Sequence, residues 1–343
     1  MSQSTTTFDP SMSVDGASGE SHGTAGGAAQ PVSTTSRIGR FVAWLGGAVV
    51  GAVLLVGGWA KALDPLAFVE QIRGEGLDFL LPAAVVAAIA LLLEFGLGSA
   101  LVLGIRRLWI LIPSALLVLF FLFLTGRTYY KSVQGTLELE AGCGCFGNLV
   151  ERTPAEAFWQ DLVLLVPGLV LAFFWRTRGR ALIARLAVVG VVTAAMLGLA
   201  WQSPNLPLDD LATRLGTGVL IEDLCSGQGD ERLCIDHLAP QLESGRHVVV
   251  IADLEDEQFT SRVDALNELT FAGSPPVVLS SATAEQNHAF FWSYGPSFEV
   301  VEAPPGLLKP LYRTLPRSFV VEDGVVVETY AGMPPLPEAG AGG

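Results

Sequence analysis

The chain has 343 residues, half of them apolar, and its mean hydropathy of +0.48 argues against an ordinary soluble domain. The 143 residues from Trp201 onward carry 21 acidic and 7 basic side chains, so their net charge of −14 equals that of the whole chain. The first part is therefore apolar and charge-balanced, whereas the second is acidic. This contrast indicates two regions in different solvents, a lipid bilayer for the first, and it disfavours nucleic acid as a partner.

The N-terminal residues 1–36 are rich in Ser, Thr, Gly and Ala. They cannot bury enough apolar surface to offset the entropy that ordering costs, so we predict a disordered tail. The tail also lacks the basic start and short apolar stretch of a cleavable signal peptide. The first apolar segment is therefore expected to remain as a membrane anchor.

Five apolar runs approach or exceed the roughly 20 residues that cross a bilayer as a helix. They begin at Phe41, Phe79, Leu108, Ala157 and Ala181. The fourth is the weakest because it contains Gln160, Asp161 and Pro167, and we expect an interfacial turn there that becomes lipid-facing after Leu162. The sequence thus predicts an all-α membrane bundle, with four spans in residues 37–180 and a fifth in residues 181–201.

Arginines lie at alternate ends of these runs, and Lys and Arg in short loops stay on the cytoplasmic side of a membrane. They precede the first run, join the second to the third, and join the fourth to the fifth: Arg37, Arg40, Arg106, Arg107, Arg176, Arg178 and Arg180. The pattern predicts a cytoplasmic N-terminus in a bacterial inner membrane. Two outer loops, at residues 61–78 and 126–156, and the C-terminal region then lie in the periplasm.

All four cysteines are predicted to lie on this oxidising face, where an even number suits two disulfides. Cys143 and Cys145 occupy the second outer loop, and a single glycine separates them. A bridge between them closes a very small, strained ring of the kind that exchanges readily. The alternatives are a local staple or half of a metal site, although no histidine has zinc-ligand spacing.

Cys225 and Cys234 follow the last span. The stretch between them ends in a predicted helix start, with Asp230 as the N-cap and Cys234 in the first turn. His237 then shares a helix face with Cys234 and is a candidate proton acceptor. A redox role for this pair and a purely structural disulfide both remain open.

Glu94 lies inside the second span, where an ionisable side chain is costly and marks a functional hypothesis. No basic residue is predicted deep enough to pair with it, so we expect its protonated form to hydrogen-bond to a neighbouring helix. A structural role, proton or quinone handling, and small-solute transport remain alternatives. Asp161, near the outer end of the fourth span, is a closer candidate to serve the loop of Cys143 and Cys145.

The C-terminal region alternates helices and strands after a linker at residues 202–232 that contains Cys225 and a candidate hinge at residues 202–211. The predicted elements are a helix at 233–242, a strand at 247–253, a helix at 258–271, a strand at 276–281, a helix at 284–292, a helical piece at 307–312 and a hairpin after Pro316. A Pro/Gly tail follows at residues 334–343.

This order, over residues 233–333, resembles the thioredoxin fold, in which a cis proline stands beside the active site. Pro316 takes that place by pattern. The Cys-x-x-Cys that follows the first long strand in active members is absent, since the chain there continues from Asp253 without cysteine. The domain is therefore expected to be a non-catalytic binding module, or else to use Cys225 and Cys234 from a displaced position.

The membrane region resembles the MauE/DoxX family in three elements over about residues 46–175. They are the glycine-rich end of the first span with Lys61, Asp64 and Pro65, the segment Leu93-Glu94-Phe-Gly96-Leu-Gly98, and the loop Cys143-Gly-Cys145-Phe-Gly147. The resemblance implies periplasmic redox processes, which in that family include the maturation of disulfide-rich methylamine dehydrogenase. This chain need not act on methylamine.

Together these patterns predict a redox-associated membrane protein in which Cys143 and Cys145 exchange electrons with a periplasmic dithiol, with Cys225 and Cys234 as a candidate. The C-terminal domain is expected to dock a periplasmic client protein. No cofactor is certain, and a quinone in the bundle is a candidate electron sink by analogy alone. The alternative is a non-catalytic accessory or assembly subunit of a larger membrane complex, with static disulfides and an acidic docking domain.

Overall fold

The computed structural model describes residues 34–134, 153–174, 182–227 and 232–336. Five helices in these ranges are long and apolar enough to cross a membrane by length and composition, which confirms the predicted number. They are α1 (Thr34–Leu63), α3 (Ala83–Val102), α4 (Leu108–Val133), α5 (Pro154–Phe174) and α6 (Leu182–Gln202). α3 begins later than the predicted Phe79, because Pro82 precedes its first turn in an extended conformation.

Several predicted features lie outside the described residues. They are most of the N-terminal tail, the loop with Cys143, Cys145 and Gly147, the arginines at positions 176, 178 and 180, the predicted cap Asp230, and the end of the Pro/Gly tail.

The predicted first outer loop is largely helical over residues 61–74. α1 continues through Lys61 to Leu63, and α2 (Pro65–Gly74) follows at once. The Asp64 carboxylate accepts a hydrogen bond from Ala67 N at 3.1 Å, and Pro65 occupies the first helical turn, where a missing N–H costs nothing. The Lys61, Asp64 and Pro65 signature therefore marks the join between two helices.

α1 packs against both α3 and α5 through facing glycines. A Cβ on Gly51 would lie 2.5 Å from Gly98 O, and one on Gly46 would lie 2.8 Å from Gly168 O. Such approach of two backbones is possible only without side chains. α5 is a continuous helix that contains Pro167, so the predicted interfacial turn in the fourth span is wrong.

Three arginines gather at the end of the bundle where α1 and α6 begin and α3 ends. Arg106 is buried, and its Nη1 donates to Arg40 O at 3.4 Å. Burial lowers the pKa of the Arg106 guanidinium. Arg185 Nη1 lies beside Gly104, 3.9 Å from where a Cβ would stand. The C-terminal region contacts the opposite end of the bundle.

The C-terminal region is built on a five-stranded mixed sheet with the order β5-β4-β3-β6-β7. β3 (Arg246–Ile251), β4 (Val277–Ser280) and β5 (Glu299–Glu302) are parallel, whereas β6 (Arg317–Glu322) and β7 (Val325–Tyr330) form an antiparallel hairpin beside β3. The middle residues of β3, β4 and β6 are mainly apolar and buried because both faces of the sheet are covered, whereas the strand ends carry polar residues such as Arg246 and Glu322. α9 (Glu257–Thr260), α10 (Val263–Phe271) and α11 (Ala284–Tyr294) cover one face.

The predicted hairpin after Pro316 is confirmed, and the Leu315–Pro316 peptide is cis. Other boundaries differ. The predicted helix at 233–242 is instead β2 (Leu233–Cys234), α8 (Ile235–Leu238) and a 3-10 turn (Pro240–Glu243), because Pro240 cannot continue α8. The helix expected at 258–271 is divided into α9 and α10, and β5 was not predicted.

Much of the predicted linker at residues 202–232 is an ordered part of the C-terminal region. It contains α7 (Asp209–Ala212) and β1 (Cys225–Ser226), and Leu215, Ile221 and Leu224 are buried against the sheet together with α12 (Pro305–Leu308). The proposed hinge at 202–211 is anchored too, because Arg317 pairs with Asp209 and Asp210 at 3.3 and 2.9 Å. The domain core therefore begins well before residue 233.

Candidate functional site

A buried ion pair joins α1 to α3. Lys61 Nζ donates to Glu94 Oε1, and the two residues are 5% and 1% exposed. The expectation that no basic residue reaches Glu94 is therefore wrong. Side chains on a helix lean toward its N-terminus, so Lys61, near the end of α1, extends back into the bundle.

Two aromatic rings and a glycine lie against this ion pair. The rings of Phe68 and Phe121 have their centroids 5.2 and 4.9 Å from Lys61 Nζ, a cation–π arrangement. A Cβ on Gly58 would stand 3.1 Å from Glu94 Oε2, so this glycine lets α1 approach the carboxylate. Among the described residues, Oε2 has no hydrogen-bond partner. The site thus holds a paired cation and one carboxylate oxygen with spare accepting capacity.

Asp161, on α5, lies in the same part of the bundle. It is buried, and together with Gly57, Lys61, Glu94 and Phe121 it lines a small space of about 10 Å³. That volume is close to the lower limit for one water molecule. Three helices therefore bring three ionisable side chains together at one depth. A functional role of Asp161 toward the loop of Cys143 and Cys145 stays a prediction, because that loop is outside the described residues.

A larger cavity of about 270 Å³ lies beside Lys61, between α1, α2, α3, α4 and α5. Its walls are mainly apolar, with Phe68 and Phe121 next to the ammonium group. Thr128 and Pro154 also line it. These residues belong to the end of α4 and the start of α5, which flank residues 135–152. The cavity is therefore situated at the base of the segment that carries Cys143 and Cys145.

Cys225 and Cys234 form a disulfide with each other, nine residues apart, which answers the open question of their pairing. They are 3% and 5% exposed, and the bond joins β1 to β2. Arg214 Nη1 donates to Cys225 O at 3.0 Å. An incoming thiolate must reach a sulfur to exchange with it. Burial therefore favours the structural alternative for this pair.

His237 does not share a helical turn with Cys234, which corrects that expectation. Cys234 is the N-cap of α8 in an extended conformation. Ligand atoms of Cys234, Asp236 and His237 lie within 4.8 Å of one another, but the Cys234 sulfur is in the disulfide. In this oxidised form the group offers neither a thiol for His237 to deprotonate nor a thiolate ligand.

The join between the bundle and the C-terminal region is polar. Arg313 Nη2 donates to Ser203 O at 2.8 Å, its Nη1 donates to Leu206 O at 3.3 Å, and the Ser203 hydroxyl donates to Leu63 O. Beside this contact, burial raises the pKa of the Asp64 carboxyl, although the Ala67 N–H and the charge of Arg313 oppose the shift.

Acidic groups of the bundle and of the C-terminal region both act on Tyr312. Burial raises the pKa of the Tyr312 phenol, and the nearby carboxylates of Glu70 on α2 and Asp253 after β3 add to the shift. Lys309 Nζ lies 3.6 Å from Glu70 Oε2. Arg313, Ser203, Phe68 and Phe121 were not singled out from the sequence, because a surface arginine or an apolar ring in a span is too common to be a signal.

Residues 39–176 match a protein-family model described as "Methylamine utilisation protein MauE". The expected resemblance to MauE is thereby confirmed over this region, which is less than half of the chain. It includes the ion pair, Asp161, the cavity and the sequence positions of Cys143 and Cys145, whereas α6 and the C-terminal region lie outside it. No curated protein matches the chain.

Proposed function

We propose that the protein takes part in thiol–disulfide exchange at the membrane surface that carries its C-terminal region, with Cys143 and Cys145 as the exchanging pair. One observation carries the proposal. The segment with these cysteines connects α4 to α5, and the ends of both helices line a cavity that contains the Lys61 ammonium group. The chain that carries this cysteine pair is thus continuous with two helix ends that line the cavity.

The exchange begins with attack by a client thiolate on the Cys143–Cys145 disulfide, which forms a mixed disulfide and releases one cysteine as a thiolate. The second client thiol then displaces the remaining cysteine. The client gains a disulfide, and the protein gains two electrons and two protons as a dithiol. Cys225 and Cys234 take no part, because their bridge is buried.

The C-terminal domain, in this proposal, is thioredoxin-like and docks the client. Its strand order supports this, since β4 and β3 are parallel neighbours and β6 and β7 follow as an antiparallel hairpin. The end of β3, where active thioredoxin-like proteins carry Cys-x-x-Cys, holds Asp253 instead, and Asp253 acts on Tyr312 together with Glu70 of α2. In this proposal, a client held there is on the side of the bundle where α4 ends and α5 begins.

The sidedness also belongs to the proposal. We place the C-terminal region in the periplasm and the membrane domain, DoxX-like in its glycine and Lys-Asp-Pro elements, in the bacterial inner membrane. The gathering of Arg40, Arg106 and Arg185 at the end of the bundle away from that region supports this orientation.

An accessory or assembly subunit of a larger membrane complex is a second candidate. The buried Cys225–Cys234 bridge favours it, since a static disulfide beside a domain without a dithiol suits a docking surface. The two candidates differ in whether Cys143 and Cys145 ever change oxidation state.

Thiol trapping in intact cells tests the proposal. Acid quenching followed by alkylation with a maleimide that adds mass should reveal a fraction of Cys143 and Cys145 in the reduced state. Cys145→Ser, which leaves Cys143 without its neighbour, should accumulate a mixed disulfide that a reductant dissolves. The matched control, Cys225→Ser, should give no such adduct beyond its loss of stability. If Cys143 and Cys145 are always oxidised and never form mixed disulfides, the accessory role stands instead.

A further inference from the structure

We infer that the cavity beside Lys61 binds the ring of a lipid-soluble quinone, and that this quinone accepts the electrons of the Cys143 and Cys145 dithiol. The inference rests on the proposed function, because an exchanging pair that oxidises its client must itself be reoxidised. The class of ligand is restricted by the size of the cavity, by the route into it, by the charges around it and by the balance of electrons.

The size fits one substituted ring. An apolar cavity of roughly 150 Å³ holds benzene, and this cavity of about 270 Å³ leaves room for ring substituents and the first part of a tail. Its walls are mainly aromatic and aliphatic, and its few polar lining residues, among them Gln71, Thr125 and Thr128, replace only part of the hydration that a sugar or a free nucleotide would lose.

Access is from the apolar outer surface of the bundle. Phe79 and Phe120 line the cavity and are 78% and 42% exposed, so the cavity extends to the surface that lipid tails contact in a membrane. A ligand that dissolves in the bilayer can enter the cavity directly from the lipid. A water-soluble oxidant is not dissolved in the lipid and cannot use this route.

The charges select a neutral head group with hydrogen-bond acceptors. Lys61 is already paired with Glu94, and Asp161 adds a second carboxylate nearby. The two carboxylates repel an anionic ligand, and the Lys61 ammonium repels a cationic one. An ammonium has three donors, of which Glu94 Oε1 takes one. A second can be donated to a carbonyl oxygen in the cavity that Lys61 lines.

Glu94 provides the complementary acceptor. Its Oε2 has no hydrogen-bond partner among the described residues, and Lys61 and Phe121 line both the small space beside Glu94 and the larger cavity. A carbonyl that accepts from Lys61 becomes a hydroxyl after reduction, and a hydroxyl needs an acceptor. A buried orphan acceptor beside a buried donor suits both states of a quinone.

The electron balance completes the argument. When Cys143 and Cys145 form their S–S bond, two thiols release two electrons and two protons. A quinone takes up both pairs and leaves as the hydroquinone, so no further co-reactant is needed. Among lipid-soluble neutral molecules with ring carbonyls, this is the class that carries two electrons and two protons together.

Binding of decylubiquinone to the full-length protein in lipid nanodiscs tests the site. Ala90→Leu and Val86→Phe fill the cavity from α3, whereas Ala88→Leu and Val85→Phe make the same changes on the exposed face of that helix. We expect saturable binding that the two filling variants weaken by at least about tenfold and the two controls leave unchanged. Absence of saturable binding, or equal effects of fillers and controls, overturns the inference.

A second experiment tests whether the bound quinone accepts the electrons. A client-like dithiol peptide is added, and the ultraviolet absorbance of the quinone reports its reduction. Wild type should reduce it, and Cys143→Ser/Cys145→Ser should bind it equally well without reducing it. Binding without reduction by wild type overturns the acceptor assignment. Thiol trapping in cells still decides the proposed exchange separately, so the two failures are distinguishable.

Discussion

At the scale of single residues, the central feature is the ion pair of Lys61 and Glu94. Neither side chain is tolerable alone at such depth, because an isolated buried charge costs several kcal/mol. The sequence showed an intramembrane acid at Glu94 and placed Lys61 at the surface. The sequence did not show in which direction the Lys61 side chain points. That direction follows from the continuation of α1 to Leu63.

Removal of one partner should be far more damaging than removal of both. Lys61→Met leaves the Glu94 carboxylate buried without its cation, and we expect a loss of about 3–5 kcal/mol in the free energy of unfolding. The double variant Lys61→Met/Glu94→Leu should recover most of that loss, since no charge remains. Titration with SDS in mixed micelles measures both.

Arg127→Met is the matched control for this comparison, because it breaks the exposed pair with Glu75 at 3.0 Å. Such surface pairs contribute about 0–1 kcal/mol. A double variant that is as unstable as Lys61→Met would show that packing of the side chains, rather than charge pairing, stabilises this contact.

At the scale of elements, α1 is the central helix of the bundle because glycines let it contact two neighbours at backbone distance. Gly51 meets Gly98 on α3, and Gly46 meets Gly168 on α5. The sequence predicted the helices from their hydropathy but not these contacts, since many glycines occur in the spans. Gly190 and Gly198 on α6, for example, have nothing within 4 Å of a Cβ.

Alanine at the contact glycines should therefore be destabilising, and alanine at the open ones should not. Gly51→Ala and Gly168→Ala force α1 away from its neighbours, and we expect losses of about 1–3 kcal/mol. Gly190→Ala and Gly198→Ala should be neutral or slightly stabilising, because alanine is the better helix former. The same SDS titration ranks all four, and comparable losses at both sets would contradict the packing described.

At the scale of the whole molecule, the C-terminal region is held on the bundle by few polar contacts. Arg313 bonds to Ser203 and Leu206 at the end of α6, and Lys309 lies near Glu70 on α2. This docking brings Lys309 and Tyr312 of the C-terminal region close to Glu70 on α2. The segment after α6 was predicted as a hinge, but Asp209 and Asp210 pair with Arg317 on β6, which anchors the segment to the domain.

Arg313→Ala should loosen this docking without unfolding the domain. The variant loses the hydrogen bonds to Ser203 and Leu206, and we expect limited proteolysis of the 203–208 segment to become roughly tenfold faster, as a loss of about 1.4 kcal/mol in local stability predicts. Arg246→Ala removes an exposed arginine that pairs with Glu322 and Glu328 within the sheet, and should leave the rate unchanged. Equal rates for wild type and Arg313→Ala would show that other contacts hold the region.

The sequence by itself determined the apolar helices, the acidic second region, the hairpin after Pro316 and the resemblance of the first four spans to MauE. These depend on hydropathy, charge and short spacings, which are local properties. Only the tertiary structure decided that Lys61 pairs with Glu94, that Asp161 joins them, that Cys225 binds Cys234 and that the end of α4 and the start of α5 line a cavity. Those outcomes require side chains from helices far apart in the chain to meet, and the distances between helices depend on packing that no local pattern records.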